Sequence, residues 1–319
     1  DYYASRGLGD VYKRQIRSDY NFEVDPGSFW NKPYYTAAVT VGKLLRYTMV
    51  HDFVAGDYMW TGIDYLGEAN WPQRSAGCGC LDTCGFEKDA FYFYKSVWNQ
   101  KEKFAYLCPH WNLKLKKGTV LPVICYTNCE DAELFVNGRS FGMKSKGFPC
   151  YGMTERYGHF DRYRRPANTD DLFLSWDVPY EPGKIEVVGY HDGKEVCRYN
   201  VETTGEAAAI KLTVDKTSVD ADGRSVVQAE VRILDSEGHL VFDACPELNF
   251  TLEGDGEIIG IDNGDPACHE QWKETKGRHA FNGMAYAVIR AGQNKGELKL
   301  TVTSSDNTLT NASVTIQVG

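Results

Sequence analysis

The chain has 319 residues, of which 42% are apolar and 25% charged, with a net charge of −9. That length exceeds one ordinary hydrophobic core and calls for two or three domains. The acidic balance excludes the basic face that a nucleic-acid partner requires, and no uninterrupted apolar run reaches the roughly 18 residues of a membrane span.

Residues 1–15, DYYASRGLGDVYKRQ, show neither period nor caps. They read as a translated junction foreign to the fold, with a genuine irregular segment as the alternative. On the first reading the native chain begins further upstream. Residues 16–33 carry the turn signal Asp25-Pro26-Gly27 and scattered aromatics, as a long loop does. The spacing of Ala38, Val41, Leu45 and Met49 predicts a helix over 34–50, with Lys43 and Arg46 on its other face. A strand is predicted over 53–60, ending in Trp60, followed by the polar, Gly-spaced stretch TGIDYLGE over 61–68. An apolar strand that ends in Trp and opens into a loop with two carboxylates, Asp64 and Glu68, is how a parallel β/α barrel presents a site. Asn70, Trp71 and Arg74 lie on the same loop and are candidates to line its mouth. A second helix is predicted over 87–99, with Phe91, Tyr94, Val97 and Trp98 as its apolar stripe.

From Asn112 the period changes from helical to alternating. Strands are predicted over 120–126, 132–136, 139–143, 172–176, 184–190 and 195–201, with Asn137-Gly138 as a hairpin turn. The insert 144–171 is rich in Arg, Tyr and Gly and lacks period; His159, Arg162, Arg164 and Arg165 within it read as a solvated loop, or as groups reaching over a site. A small-residue linker at 203–209 precedes a second all-β unit, with strands over 210–214, 225–234, 247–252, 257–261, 284–289, 297–304 and 312–318. Short strands separated by turns argue an Ig-like sandwich in the first of these units.

Ten Cys are present at irregular spacing. Cys78, Cys80 and Cys84 form C-x-C-x3-C, which lacks the C-x2-C pairs and the fourth ligand of a structural zinc site. Buried thiols in a reducing, cytoplasmic compartment are the expected reading, with no metal and no cofactor. The loop at Asn263-Gly264-Asp265-Pro266, with His269 and Trp272, is explained by turn chemistry, with sugar or ion binding as the alternative.

The stretch FVAGDYMWTGIDYLGE, then Trp71-Pro72 and the run Gly85-Phe86-Glu87-Lys88-Asp89, resembles the last barrel strand and following loop of glycoside hydrolase family 2, above all in its bacterial β-galactosidases. Glu133-Leu134-Phe135-Val136-Asn137-Gly138 and the run WDVPYEPG over 176–183 resemble the sandwich that follows the barrel in those enzymes. The resemblance implies a multidomain α/β plus all-β chain. A C-terminal remnant of a (β/α)8 TIM barrel at 16–111 would be followed by Ig-like β-sandwich domains at 112–205 and 206–319. It implies a retaining exo-glycosidase acting on terminal β-galactosides. Such enzymes use two Glu, one of them in an Asn-Glu dipeptide. This chain has no Asn-Glu dipeptide, so both catalytic Glu are expected upstream, none is assigned here, and the chain alone is expected to be inactive. Trp60 would form part of the floor of the sugar subsite. Asp64 and Glu68 would fix the loop or contact substrate, with structural salt links as the alternative. The expected partner is a carbohydrate, with neither nucleic acid nor membrane, and a homo-oligomer is compatible with it. A β-glucuronidase or β-mannosidase of the same family is the alternative, and a non-catalytic carbohydrate-binding protein of Ig-like modules is the rival from another class.

Overall fold

The computed structural model describes residues 45, 49, 55–56, 58–59, 61–69, 73–146, 172–273 and 276–319. Leu45 and Met49 are helical, and the rest of the helix expected over 34–50 lies outside the described residues. So do residues 1–15 and most of the insert, including His159, Arg162, Arg164 and Arg165. The strand expected over 53–60 is not found at Ala55, Gly56, Tyr58 and Met59, which have no regular structure. A strand exists only through its ladder partners, and among the described residues none pairs with this segment.

Two compact units are present. The first contains residues up to Leu66, Ala76–Asp82 and Glu87–Thr203; the second contains Gly67–Ser75, Thr83–Phe86 and Thr204–Gly319. The segment 61–88 carries two short strands, β1 (Tyr65–Leu66) and β2 (Ser75–Ala76).

In the first unit, helix α1 (Asp89–Trp98) begins after Lys88 and ends at Asn99, whose N–H donates to Lys95 O at 3.0 Å. Asp89 in its first turn and Lys95 in its last suit the helix dipole. Its buried face is Ala90, Phe93 and Tyr94, with Val97 half-buried. Trp98, expected in the stripe, is 59% exposed, and Phe93 takes its place. Positions 90, 93, 94 and 97 satisfy the helical period as well as 91, 94, 97 and 98 do. A segment apolar on both sides does not reveal which face its neighbours cover.

The strands that follow form a three-stranded and a four-stranded sheet. β3 (Ala105–Cys108), β4 (Val120–Thr127) and β7 (Leu174–Pro179) make the first, in the order β3-β4-β7. β5 (Asp131–Val136), β6 (Arg139–Ser145), β8 (Lys184–His191) and β9 (Lys194–Glu202) make the second, in the order β6-β5-β8-β9. Leu121, Val123, Trp176 and Val178 from one sheet and Leu134, Val136, Ile185 and Val187 from the other share one core with Trp111. Alternation along β7 buries Leu174, Trp176 and Val178 and exposes Ser175 and Asp177. The Trp176 indole donates to Gly142 O at 3.0 Å and that of Trp111 to Glu181 O at 2.9 Å, so neither buried N–H is wasted. The expected hairpin turn is present, with Asn137 at φ 49° and Gly138 at φ 79°.

β3 was not expected; it pairs with β4, so the three-stranded sheet begins at Ala105. Leu107 faces the sandwich core, while Tyr106, Ile124 and Tyr126 join α1 and Cys78 in a second cluster. Both faces of this sheet region are covered, so the alternation that marks a half-exposed strand is missing from the sequence.

The second unit has a four-stranded sheet in the order β10-β12-β16-β14 and a five-stranded sheet in the order β11-β18-β17-β13-β15. These strands are β10 (Ala209–Val214), β11 (Ser218–Val219), β12 (Val226–Leu234), β13 (Glu247–Glu253), β14 (Gly256–Asp262), β15 (Gly277–His279), β16 (Met284–Ala291), β17 (Gly296–Ser304) and β18 (Ala312–Val318). Val227, Ala229, Val231, Ile233 and Ile289 face Phe250, Leu298, Leu300 and Ile316 across the core. The pairings are antiparallel except β11 with β18, which is parallel. β11 and β15 are two and three residues long, too short to carry a readable period.

Candidate functional site

The segment 61–88 is the stretch on which the expected site residues fall, and its order in the first unit comes from one carboxylate. Asp64 Oδ1 accepts from Gly79 N–H at 2.6 Å and from Lys88 Nζ at 2.6 Å, while Oδ2 lies 2.5 Å from the same ammonium. Lys88 Nζ also donates to Gly77 O at 3.3 Å. The two side chains are 1% and 0% exposed. Burial pushes the Asp64 carboxyl up from its usual range, and the Lys88 ammonium pulls it back. Two charges taken out of water persist together only when each is paired and hydrogen-bonded.

The backbone around the pair is closed in the same way. Thr61 N–H donates to Cys78 O and Cys80 N–H to Thr61 O, both at 3.3 Å. Asp64 N–H donates to Leu81 O at 2.9 Å, and Leu81 N–H to Gly62 O at 3.0 Å. Gly79 must be glycine, because a Cβ there would fall 2.3 Å from Asp64 N. Thr61 follows Trp60 directly, so this lattice fixes the chain at the exit of the expected Trp.

Trp60, Asn70 and Trp71 lie outside the described residues. Glu68 is exposed, with the left-handed backbone of φ 48°. Arg74 is not aimed into open space. Its guanidinium donates to both oxygens of Asp262, at 3.0 and 3.1 Å, and its side chain is 17% exposed. Asp262 also receives Arg278 at 2.5 Å and the N–H of Asn263 at 2.8 Å. Arg278, fully buried, donates in addition to Glu270 O at 2.8 Å. The neighbouring turn is self-capped: Asn263 Oδ1 accepts from Asp265 N–H at 3.1 Å, and Asp265 Oδ1 from Ala267 N–H at 2.8 Å.

Of the three cysteines in C-x-C-x3-C, Cys78 and Cys80 are buried in the apolar cluster under α1. Burial pushes the Cys80 thiol up to about 12, and its Sγ lies 3.3 Å from Met59 Sδ. Lys88, Asp262 and Arg278 were missed as partners. Lys88 is 24 residues from Asp64 and Asp262 is 188 from Arg74, and separations of that kind leave no local signal.

The comparisons agree on a class. Residues 210–315 match glycoside hydrolase family 2 C-terminal domain 5, and residues 118–197 match a domain of unknown function, DUF4982. The chain is 38% identical over 264 residues to the β-galactosidase BoGH2A of Bacteroides ovatus, covering 82% of this chain and 28% of that protein. It is 30% identical over 270 residues to a putative β-glucuronidase of Formosa agariphila, covering 82% of this chain and 24% of that protein. A β-glycosidase structure from Bacteroides vulgatus superposes with a TM-score of 0.74 at 31% identity, covering 87% of this chain and 32% of that one. These relatives are glycosidases. The chain belongs to glycoside hydrolase family 2 and corresponds to a C-terminal portion of the family's proteins. It spans about a quarter of the length of the two curated relatives. Among the described residues no helix is long and apolar enough to cross a membrane.

Proposed function

We propose that this chain is part of a retaining exo-glycosidase that hydrolyses terminal β-galactosides, and that residues 61–88 form one wall of its sugar site. In this reading, residues 16 to about 104 are the end of a (β/α)8 barrel, and two Ig-like sandwiches follow. Residues 1–15 are foreign to it. The observation that carries the reading is the Asp64–Lys88 lock directly after Trp60. A fully buried ion pair holds the backbone of this segment, which is what a preorganised site wall needs. The 38% identity to a β-galactosidase supports the substrate.

The division of labour follows. The two catalytic Glu are supplied by residues outside this chain. One protonates the leaving oxygen while the other attacks the anomeric carbon, and water then resolves the glycosyl-enzyme. Trp60 stacks under the sugar, and Asn70 and Trp71 line the mouth. Asp64 acts through Lys88 as a positioning residue.

A β-glucuronidase is the second reading, favoured by the Formosa relative. A uronic acid needs a cation for its carboxylate. The two basic side chains of 61–88, Arg74 and Lys88, are each already committed to an aspartate, which favours a neutral sugar. The test is turnover of chromogenic β-galactoside and β-glucuronide, by this chain alone and by the product of the whole coding sequence. We expect no turnover by the chain and preference for galactoside by the whole protein. Preference for glucuronide would replace the substrate assignment. Activity of the purified chain that disappears in Asp64→Asn would overturn the assignment of roles.

A further inference from the structure

The first unit holds two thiols that its fold brings together from 68 residues apart: Cys129 Sγ and Cys197 Sγ lie 3.5 Å from one another. Cys129 sits in the turn after β4, where its N–H donates to Thr127 Oγ1 at 3.0 Å. Cys197 lies on β9, opposite Gly189 of β8. The space between the strands and the turn exists because residue 189 has no side chain. A Cβ there would fall 2.6 Å from Cys197 Sγ and 2.7 Å from Cys129 Sγ. The sulfurs occupy the volume of a missing methyl group.

Beside Cys129 is a cavity of about 190 Å³, also lined by Lys103, Asn128, Lys146 and His191. Lys103 Nζ is held by Asn128 O at 3.1 Å and Lys146 Nζ by Thr127 O at 2.8 Å, so both ammoniums are fixed at the turn that carries the thiol. The contact with Cys197 lowers the Cys129 thiol, burial opposes it, and the Thr127 hydroxyl and these lysines add to the lowering. The same contact, with burial, pushes Cys197 up. Cys125, also buried nearby, is pushed up to about 12. Two thiols in contact, one of them beside two fixed lysines, is the arrangement of an attacking and a resolving cysteine.

We propose that Cys129 and Cys197 are an oxidation site at which hydrogen peroxide converts the two thiols into an intramolecular disulfide. The Cys129 thiolate attacks one peroxide oxygen, the O–O bond breaks, and hydroxide leaves and takes up a proton, giving a sulfenic acid. The Cys197 sulfur then attacks the Cys129 sulfur, its proton passes to the departing hydroxyl, and water leaves as the S–S bond forms. Two thiols and one peroxide give one disulfide and two waters. Cys129 is fully buried, so the oxidant has to be small enough to enter through the cavity that this residue lines.

The experiment treats the native 319-residue chain with hydrogen peroxide, alkylates the remaining thiols, and maps its peptides by mass. We expect a loss of about 2 Da, a linked pair of peptides containing Cys129 and Cys197, reversal by dithiothreitol, and a melting temperature several degrees higher in the oxidised form. Cys197→Ser should stop the reaction at a sulfenic acid on Cys129 that dimedone captures. Cys129→Ser should leave Cys197 alkylatable. A link from Cys129 to another cysteine would overturn the proposal. So would oxidation elsewhere while both thiols remain free, or dimedone capture on Cys197.

Discussion

In the first unit Lys88 and Asp64 are both withdrawn from solvent and joined to one another, whereas in the second Asp262 keeps 26% of its side chain exposed and is shared by Arg74 and Arg278. Each device ties part of the segment 61–88 to its own unit, but the two will fail differently. Removing one member of a fully buried pair strands a charge where water cannot reach it. Removing one arginine from the shared aspartate leaves the other in place, with solvent to help. On the proposed reading the contrast bears on function, because the tighter device includes Asp64, four residues after Trp60.

The largest expected effect is therefore at the buried pair. Lys88→Met should cost about 3–5 kcal/mol of stability in the first unit, measured by chemical denaturation. The double variant Asp64→Leu, Lys88→Met should recover much of it, because two apolar groups leave no orphan charge. If the single variant loses less than about 1 kcal/mol, the pair is not the lock described here.

A smaller effect is expected at the shared aspartate. Arg278→Ala removes a buried guanidinium but leaves Asp262 paired to Arg74, so a loss of about 2–3 kcal/mol in the second unit is expected. Arg74→Ala, nearer the surface, should cost less. Equal losses in the two variants would erase the distinction drawn between the arginines.

The smallest effect is at a turn with no part in the site. Asp235 accepts the N–H groups of Gly205, Glu237 and His239 at 3.0, 3.0 and 2.9 Å. Burial pushes its carboxyl up, but the three N–H groups outweigh that and hold it below the usual carboxylate range. A depressed folded value stabilises above the unfolded pKa of about 3.9, and that stability is lost as pH falls through the folded value. Asp235→Ala should cost about 1–2 kcal/mol at pH 7. The gap between variant and wild type should hold down to about pH 5 and narrow below about pH 4. A gap that widens in acid would contradict the sign.

Much of the β architecture was legible because its strands have one covered face. β7, β12 and β17 alternate in burial; β12 and β17 were read to within a residue of their observed limits, and β7 was read two to three residues early. The turn at Asn137-Gly138 was legible because its chemistry is local. β3 was not, since sheet and helix cover it from both sides, and β11 and β15 are too short to carry a period. Within 61–88 the sequence marked Asp64 and Arg74 as polar residues of interest but not what they bind. Lys88 was visible only as part of the run GFEKD, and Arg278, in the unread β15, was not marked at all. Long-range ion pairs are settled by the fold, after the local rules have finished.

The central claim, that residues 61–88 wall a sugar site behind Trp60, is tested most directly by kcat/KM on a chromogenic β-galactoside. It should be measured in the whole protein for Trp60→Ala and Trp60→Phe, beside thermal melting. An indole face under an oxocarbenium-like transition state orients the sugar and offers negative π density to its charge. The account predicts that Ala lowers kcat/KM roughly 100-fold or more, about 3 kcal/mol of transition-state binding, with Phe between Ala and wild type and little change in Tm. Near-wild-type kinetics for Trp60→Ala, or a loss of activity that tracks melting, would contradict it.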